Sequence, residues 1–191
     1  MRAWVARRGG PKAPAAFLDR DGTINRNRHG VYVTSAGGLE LYARAAAGLK
    51  LLSAKGYRLV VLTNQSGVAR GYMTEAESLR INRKLVKDLA AEGVRLDAVY
   101  YCPHGPAEGC GCRKPEPGLL KEAARDLAIE MKGSFVAGDK SSDVELARRA
   151  GLEGKLVLTG GGRAAAAKSK AKAYRDLLSL ALAAEDLRKR K

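Results

Sequence analysis

The feature that most constrains this 191-residue chain is its regular alternation of short apolar runs with helical patterns. Residues 15–19 and 58–63 read as strands on either side of an amphipathic helix over 43–55, which stops before Gly56. Thr74 followed by Glu77 has capping-box spacing and predicts a helix to about Glu92. Residues 96–101 form the third strand, Pro117-Gly118 opens a helix to about Glu130, and a strand over 134–138, a helix over 142–150 and a strand over 155–158 complete the series. Such alternation calls for a parallel sheet with helices on both faces. Beyond Gly160-Gly161-Gly162 the Ala/Lys-rich remainder reads either as one helix or as a short strand plus a helix. The length fits one domain over 15–191 behind a basic extension over 1–14, with monomer the default state.

Charge and cysteine usage narrow the class. Of the net +15, residues 1–14 carry +4 and residues 163–191 carry +6, so the excess is mostly terminal. With no interleaved aromatic set to stack bases, specific nucleic-acid binding is not expected. No apolar run approaches the roughly 20 residues of a membrane span, and residues 1–16 lack a signal peptide's apolar core, so a cytoplasmic protein is expected. The three cysteines, Cys102, Cys110 and Cys112, fit a reducing compartment and a metal site rather than a disulfide framework.

Ligands of open α/β sheets bind beyond the carboxyl ends of the strands, where Asp19, Thr63, Cys102 and Asp139 all fall. In Asp19-Arg20-Asp21-Gly22-Thr23 one carboxylate can attack phosphorus while the other handles the leaving-group proton. By itself Asp-x-Asp reads better as an Asx-turn with two solvated acids. Gly138-Asp139-Lys140-Ser141-Ser142-Asp143 supplies more acids at another strand end, although Ser142 or Asp143 could simply cap the next helix. Asp19, Asp139 and the Asp21 carbonyl are candidate Mg²⁺ ligands, supported by Asp143. Thr63-Asn64-Gln65-Ser66-Gly67 offers a hydroxyl, amides and backbone N–H groups to phosphate oxygens. Lys114 could neutralise a transferring phosphoryl group, with Arg113 and Lys140 binding a second anion. In the loop from Asn25, the residues Asn27, His29 and Tyr32 could meet hydroxyls of a small ligand, though His29 reads equally as an ordinary exposed loop residue.

Cys102-Pro103-His104, five residues, then Cys110-Gly111-Cys112 gives four ligands suited to tetrahedral Zn²⁺. Four protein ligands leave no position for a substrate water, so the expected zinc is structural, pinning loop 102–112 and with it Arg113 and Lys114.

Taken in order, Asp-x-Asp-Gly-Thr, a strand ending in Thr63, Lys114-Pro115 and Gly138-Asp139-x-x-x-Asp143 resemble the four signature motifs of the haloacid dehalogenase superfamily of phosphotransferases. The resemblance implies a three-layer, Rossmann-like α/β fold with a mainly parallel sheet and no separate cap domain. It also implies Mg²⁺ dependence, Asp19 as nucleophile, Asp21 as acid/base, and phosphate binding by Thr63 and Lys114. The zinc loop is similar to that of the group of histidinol-phosphate phosphatases and heptose-bisphosphate phosphatases, and residues 63–71 and 100–104 look like the heptose enzymes. The expected activity is hydrolysis of the C7 phosphate of a heptose bisphosphate, a small phosphorylated sugar. Histidinol phosphate is the alternative substrate, and a basic zinc-stapled nucleic-acid-binding module is the alternative of another class.

Overall fold

Side-chain direction along the first long apolar run shows how the layers form. In the computed structural model, which describes residues 2–6, 11–27 and 31–189, this run is strand β2 (Ala13–Leu18), preceded by β1 (Arg2–Val5). Ala15 and Phe17 pack on one side among Leu119, Leu120, Ala123, Leu146 and Ala147. Ala16 and Leu18 pack on the other among Leu49, Leu52, Ile81, Leu85 and Leu180. Both faces are dry, the period-two placement expected of a strand sandwiched between helical layers.

Strands β3 (Arg58–Asn64), β4 (Ala98–Cys102), β5 (Ile129–Gly138), β6 (Glu153–Val157) and β7 (Lys172–Tyr174) complete a seven-stranded sheet of order β1-β4-β3-β2-β5-β6-β7. Neighbours are parallel except β1 with β4. Helices α1 (Ala45–Ala54), α2 (Glu75–Ala91) and α6 (Leu177–Ala183) cover one face, and α3 (Gly118–Asp126) and α4 (Ser141–Arg149) cover the other. The short α5 (Gly162–Ala166) follows β6. The chain steps outward from β2 to β3 and β4, then returns to β5 on the far side of β2. That reversal opens a crevice beyond the carboxyl end of β2. Between Ile24 and Tyr57 the described regular structure is a 3-10 turn (Ala36–Gly38) and α1, so no cap domain covers the crevice.

Several elements depart from expectation. The basic extension contributes β1, whose Trp4 and Val5 pair with Val99 and Ala98 at the sheet edge. The helix expected to run to about Glu130 stops at Asp126 because Ala128 adopts a left-handed φ of 50°, which turns the chain so that Ile129 pairs with Ala13. The capping box is half formed: Thr74 Oγ1 accepts from Glu77 N at 3.1 Å, but the Glu77 carboxylate accepts instead from Ala36 N and Arg80. After Gly162 the chain forms a short helix, β7 and α6, nearer the strand-plus-helix reading. Among the described residues no helix is long and apolar enough to cross a membrane.

α1 packs on α6 through Gly48, where an added Cβ would lie 2.8 Å from the Leu177 carbonyl and the Leu178 nitrogen. Because backbone cannot swing aside as a side chain can, Gly48→Val should destabilise the protein by about 2–3 kcal/mol. Urea denaturation measures it, and an unchanged midpoint would mean that α6 yields without cost.

Candidate active site

Four strand ends supply the site. Asp19 directly follows β2 and is 3% exposed. One of its oxygens, Oδ1, accepts from Lys114 Nζ at 2.7 Å, while Oδ2 is buried without a hydrogen-bond partner. Asp139 directly follows β5; its Oδ2 accepts from Gly161 N at 2.7 Å and its Oδ1 is likewise orphaned. Asp143, on the first turn of α4, places Oδ1 2.7 Å from Lys114 Nζ and accepts from Lys140 N through Oδ2 at 3.1 Å. Lys140 Nζ stands 3.7 Å from Asp19 Oδ2 and 3.8 Å from Asp139 Oδ1.

The electrostatics follow from burial and these pairings. Burial pushes the Asp19 carboxyl upward, but the Lys114 and Lys140 charges outweigh it and hold the group at about 2. Burial, then the Asp19 charge, push Asp139 up to about 7. Asp19, Asp139 and Asp143 each bring an oxygen within 4.8 Å of the others. Two orphaned oxygens in a buried, oxygen-only donor set suit a hard divalent cation. Gly22 permits the close approach: its φ is +93°, and a Cβ there would lie 2.1 Å from Asp139 Oδ2.

Asp21 is held by a cluster that sequence reasoning did not find. Its carboxylate accepts from Arg20 Nε and Nη2, Asn25 Nδ2 and Gln65 Nε2 at 2.8–3.1 Å. Arg20 is fully buried and also donates to Asn82 Oδ1 at 2.7 Å and Gln65 Oε1 at 3.1 Å. The one local signal was an arginine between two acids at the end of an apolar strand; Asn82 lies on α2, far along the chain.

A cavity of about 590 Å³ opens above these groups and is lined by Asp21, Asn27, Tyr32, Asn64, Ser66, Arg113, Lys114, Asp139 and Lys140, all singled out in the sequence. Val31, Val33, Ser141, Ser142, Ala164, Ala165 and Lys168 were not singled out and line it too. Thr63 and Gln65 are not among the lining residues, and the polar groups of Asn64 and Tyr32 have partners within the protein. Thr63 is fully buried, with Oγ1 accepting from Gln65 Nε2 at 2.7 Å, so the Gln65 amide serves Thr63 and Asp21. Asn64 spends both ends of its amide on the Lys114 backbone, at 3.0 Å each. Tyr32 Oη lies 3.3 Å from Ser66 Oγ. His29 lies outside the described residues.

Cys102, His104, Cys110 and Cys112 converge at the end of β4. Their S···S separations are 3.2–3.6 Å and His104 Nδ1 lies 3.5 and 3.2 Å from Cys102 and Cys112 Sγ. A tetrahedron with Zn–S of about 2.3 Å has S···S edges of about 3.8 Å, so the quartet is already nearly of that size. Arg113 Nη1 donates to His104 O at 3.2 Å, tying the residue before Lys114 to this loop.

Residues 111–181 match the HAD-hydrolase-like family model. The D-glycero-beta-D-manno-heptose-1,7-bisphosphate 7-phosphatase of Rhodopseudomonas palustris is 43% identical over 152 residues, 75% of this chain and 83% of that protein. The protein of the same name from Yersinia pestis is 41% identical over 175 residues, 88% of this chain and 92% of the relative. Among solved structures, the D,D-heptose 1,7-bisphosphate phosphatase of B. bronchiseptica, complexed with magnesium and phosphate, superposes with a TM-score of 0.82 at 34% identity, covering 88% of this chain and 96% of that one.

Arg20→Ala should cost about 3–5 kcal/mol, because it removes the cation beside Asp21, leaves Asn82 Oδ1 and Gln65 Oε1 without their donor and opens a void. Arg20→Lys should recover little of this, since an ammonium cannot replace the guanidinium fork. Thermal melting decides the matter: a wild-type melting curve for Arg20→Ala would show that the cluster does not hold the fold.

Proposed function

We propose that this chain, which belongs to the D-glycero-D-manno-heptose-1,7-bisphosphate 7-phosphatase family of HAD-like hydrolases, removes the C7 phosphate of its sugar through an aspartyl-phosphate on Asp19. The observation that carries the mechanism is the state of Asp19: buried, held ionised by two lysines, with one oxygen free of hydrogen bonds. An Asp19 oxygen attacks the C7 phosphorus, and the bond from phosphorus to the sugar oxygen breaks. Asp21 serves as the acid, passing a proton to the departing sugar oxygen. The resulting Asp21 carboxylate then takes a proton from the water that attacks the aspartyl-phosphate, so Asp19 is restored and inorganic phosphate leaves. Lys114, whose three N–H groups go to Asp19, Asp143 and the Leu62 carbonyl, contributes its positive charge to the field at the phosphoryl oxygens. Lys140 does the same from the cavity side.

Asp19, Asp139 and the Asp21 main-chain carbonyl would hold Mg²⁺, which supplies charge neutralisation of the phosphoryl oxygens during transfer. The orphaned Asp19 and Asp139 oxygens support this set. Zn²⁺ in the Cys102, His104, Cys110 and Cys112 quartet would be structural, a role supported by its distance pattern and by the Arg113 contact to His104. Reduced, metal-ready thiols also fit a cytoplasmic enzyme. The heptose substrate is favoured over histidinol phosphate by the similarity spanning most of the chain, and Arg113 and Lys140 on the cavity wall suit a second phosphate.

Asp19→Asn should lower phosphate release by at least about a thousandfold. With Mg²⁺ present, kcat/KM for heptose 1,7-bisphosphate should exceed that for histidinol phosphate by about a hundredfold or more, some 2.7 kcal/mol of discrimination. Full activity in the Asp19 variant would end the covalent mechanism, and a reversed preference would end the heptose assignment.

Metal analysis should find about one zinc per chain, lost in Cys110→Ser together with a lowered melting temperature and a reduced kcat. A zinc-free wild type of undiminished stability and activity would remove the structural role.

A further inference from the structure

Lys168 is the cation on the cavity wall that the reaction leaves unused. Lys114 is shared by two carboxylates, Lys140 stands over Asp19 and Asp139, and Arg113 donates to His104 O. Among the described residues the Lys168 ammonium has no carboxylate or carbonyl partner, although the side chain lines the cavity. The backbone beneath it is ordered nonetheless. Lys168 N donates to Ala165 O at 3.1 Å, closing the end of α5. The turn that launches α5 is bolted to the reacting centre: Gly161 N donates to Asp139 Oδ2 at 2.7 Å and Thr159 Oγ1 to Gly22 O at 2.6 Å. An unengaged lysine on a wall fixed relative to Asp139 is a preorganised place for an anion.

Position in the sheet shows which anion. α5 follows β6, two strands from β2, so the wall that carries Lys168 lies to one side of the nucleophile strand. Its surroundings, Arg163, Lys170, Lys172 and Arg175, form with it a run of five cations in 163–175 without an acid, all exposed. Such a run draws multiply charged anions toward the mouth. We propose that Lys168 is a specificity-determining residue that, with Arg113 and Lys140 engaged elsewhere on the cavity wall, is the principal ligand of the phosphate not cleaved, at the end of the sugar away from the scissile bond. The proposal rests on the bisphosphatase reading and names its distal anion subsite.

The test compares kcat/KM for heptose 1,7-bisphosphate with that for the same sugar carrying the C7 phosphate alone, in wild type, Lys168→Gln, Lys168→Arg and Arg113→Gln. Lys168→Gln should reduce the preference for the bisphosphate about tenfold through KM, and Lys168→Arg should retain most of it. Persistence of the preference in Lys168→Gln, or an equal fall on both substrates, overturns the subsite. Loss of the preference in Arg113→Gln with Lys168→Gln unaffected gives the distal phosphate to Arg113 and also overturns it. A wild type that cleaves neither heptose phosphate overturns the bisphosphatase reading and the subsite with it, an outcome distinct from the others.

Discussion

The Lys114 ammonium, buried between Asp19 and Asp143 at 2.7 Å from each and capped by the Leu62 carbonyl at 2.7 Å, is the contact on which the site depends. Burying a charge is costly unless it is paired and hydrogen-bonded, and here all three partners come from different parts of the chain. Asp19 follows β2, Leu62 lies in β3, Asp143 opens α4, and Lys114 arrives from the loop after β4. None of these elements can shift without exposing an unpaired charge. The pairing also sets the balance of the centre. Three carboxylates face two ammoniums, and burial together with the neighbouring Asp19 charge pushes the Asp139 carboxyl up to about 7. A divalent cation relieves that strain, and an arriving phosphoryl dianion then meets a centre of positive charge.

Delivery of Lys114 explains the rest of the loop. Gly118 N donates to Gly111 O at 3.0 Å, so the segment carrying Arg113 and Lys114 closes back on the cysteine-rich loop. Asn64, at the end of β3, clasps the Lys114 backbone through both N–H and C=O. The Cys/His quartet lies on the other side of Arg113, close to tetrahedral size. A polar loop with little apolar surface of its own is thus held on one side by a paired amide, and zinc ligation by the quartet would offset its ordering entropy on the other.

The sheet and the ordered motifs were legible because each announces itself within a few residues: apolar runs of strand length, acids directly after them, and paired Cys/His at short spacing. What escaped depends on partners distant in sequence. Arg20 has no role assigned from the sequence, because its partners Asn82 and Gln65 lie far along the chain. Asn64 and Gln65 read as phosphate donors, and the fold instead turns their amides inward to orient Lys114 and Asp21. β1 is only four residues long and follows no turn signal; its existence is decided by the open edge of β4, nearly a hundred residues later. Glu77 has the spacing of a reciprocal cap, yet the Ala36 N–H and Arg80 win its carboxylate.

Chemistry and selectivity occupy physically different parts of this molecule. Asp19, Lys114, Asp139 and Asp143 are all no more than 4% exposed, and Lys114 pairs with both Asp19 and Asp143, so its loss leaves two buried carboxylates uncompensated. The cavity wall is looser in kind. The Lys140 side chain is 49% exposed, Lys168 is exposed, and Val31 is 59% exposed on a loop with no cap domain above it. Substitutions there disturb little of the core, and the price of altering substrate choice is low. The loops after β2, β4 and β6 line the cavity around this tightly coupled core, so on the proposed reading they, and not the buried charges, would decide which ester is held.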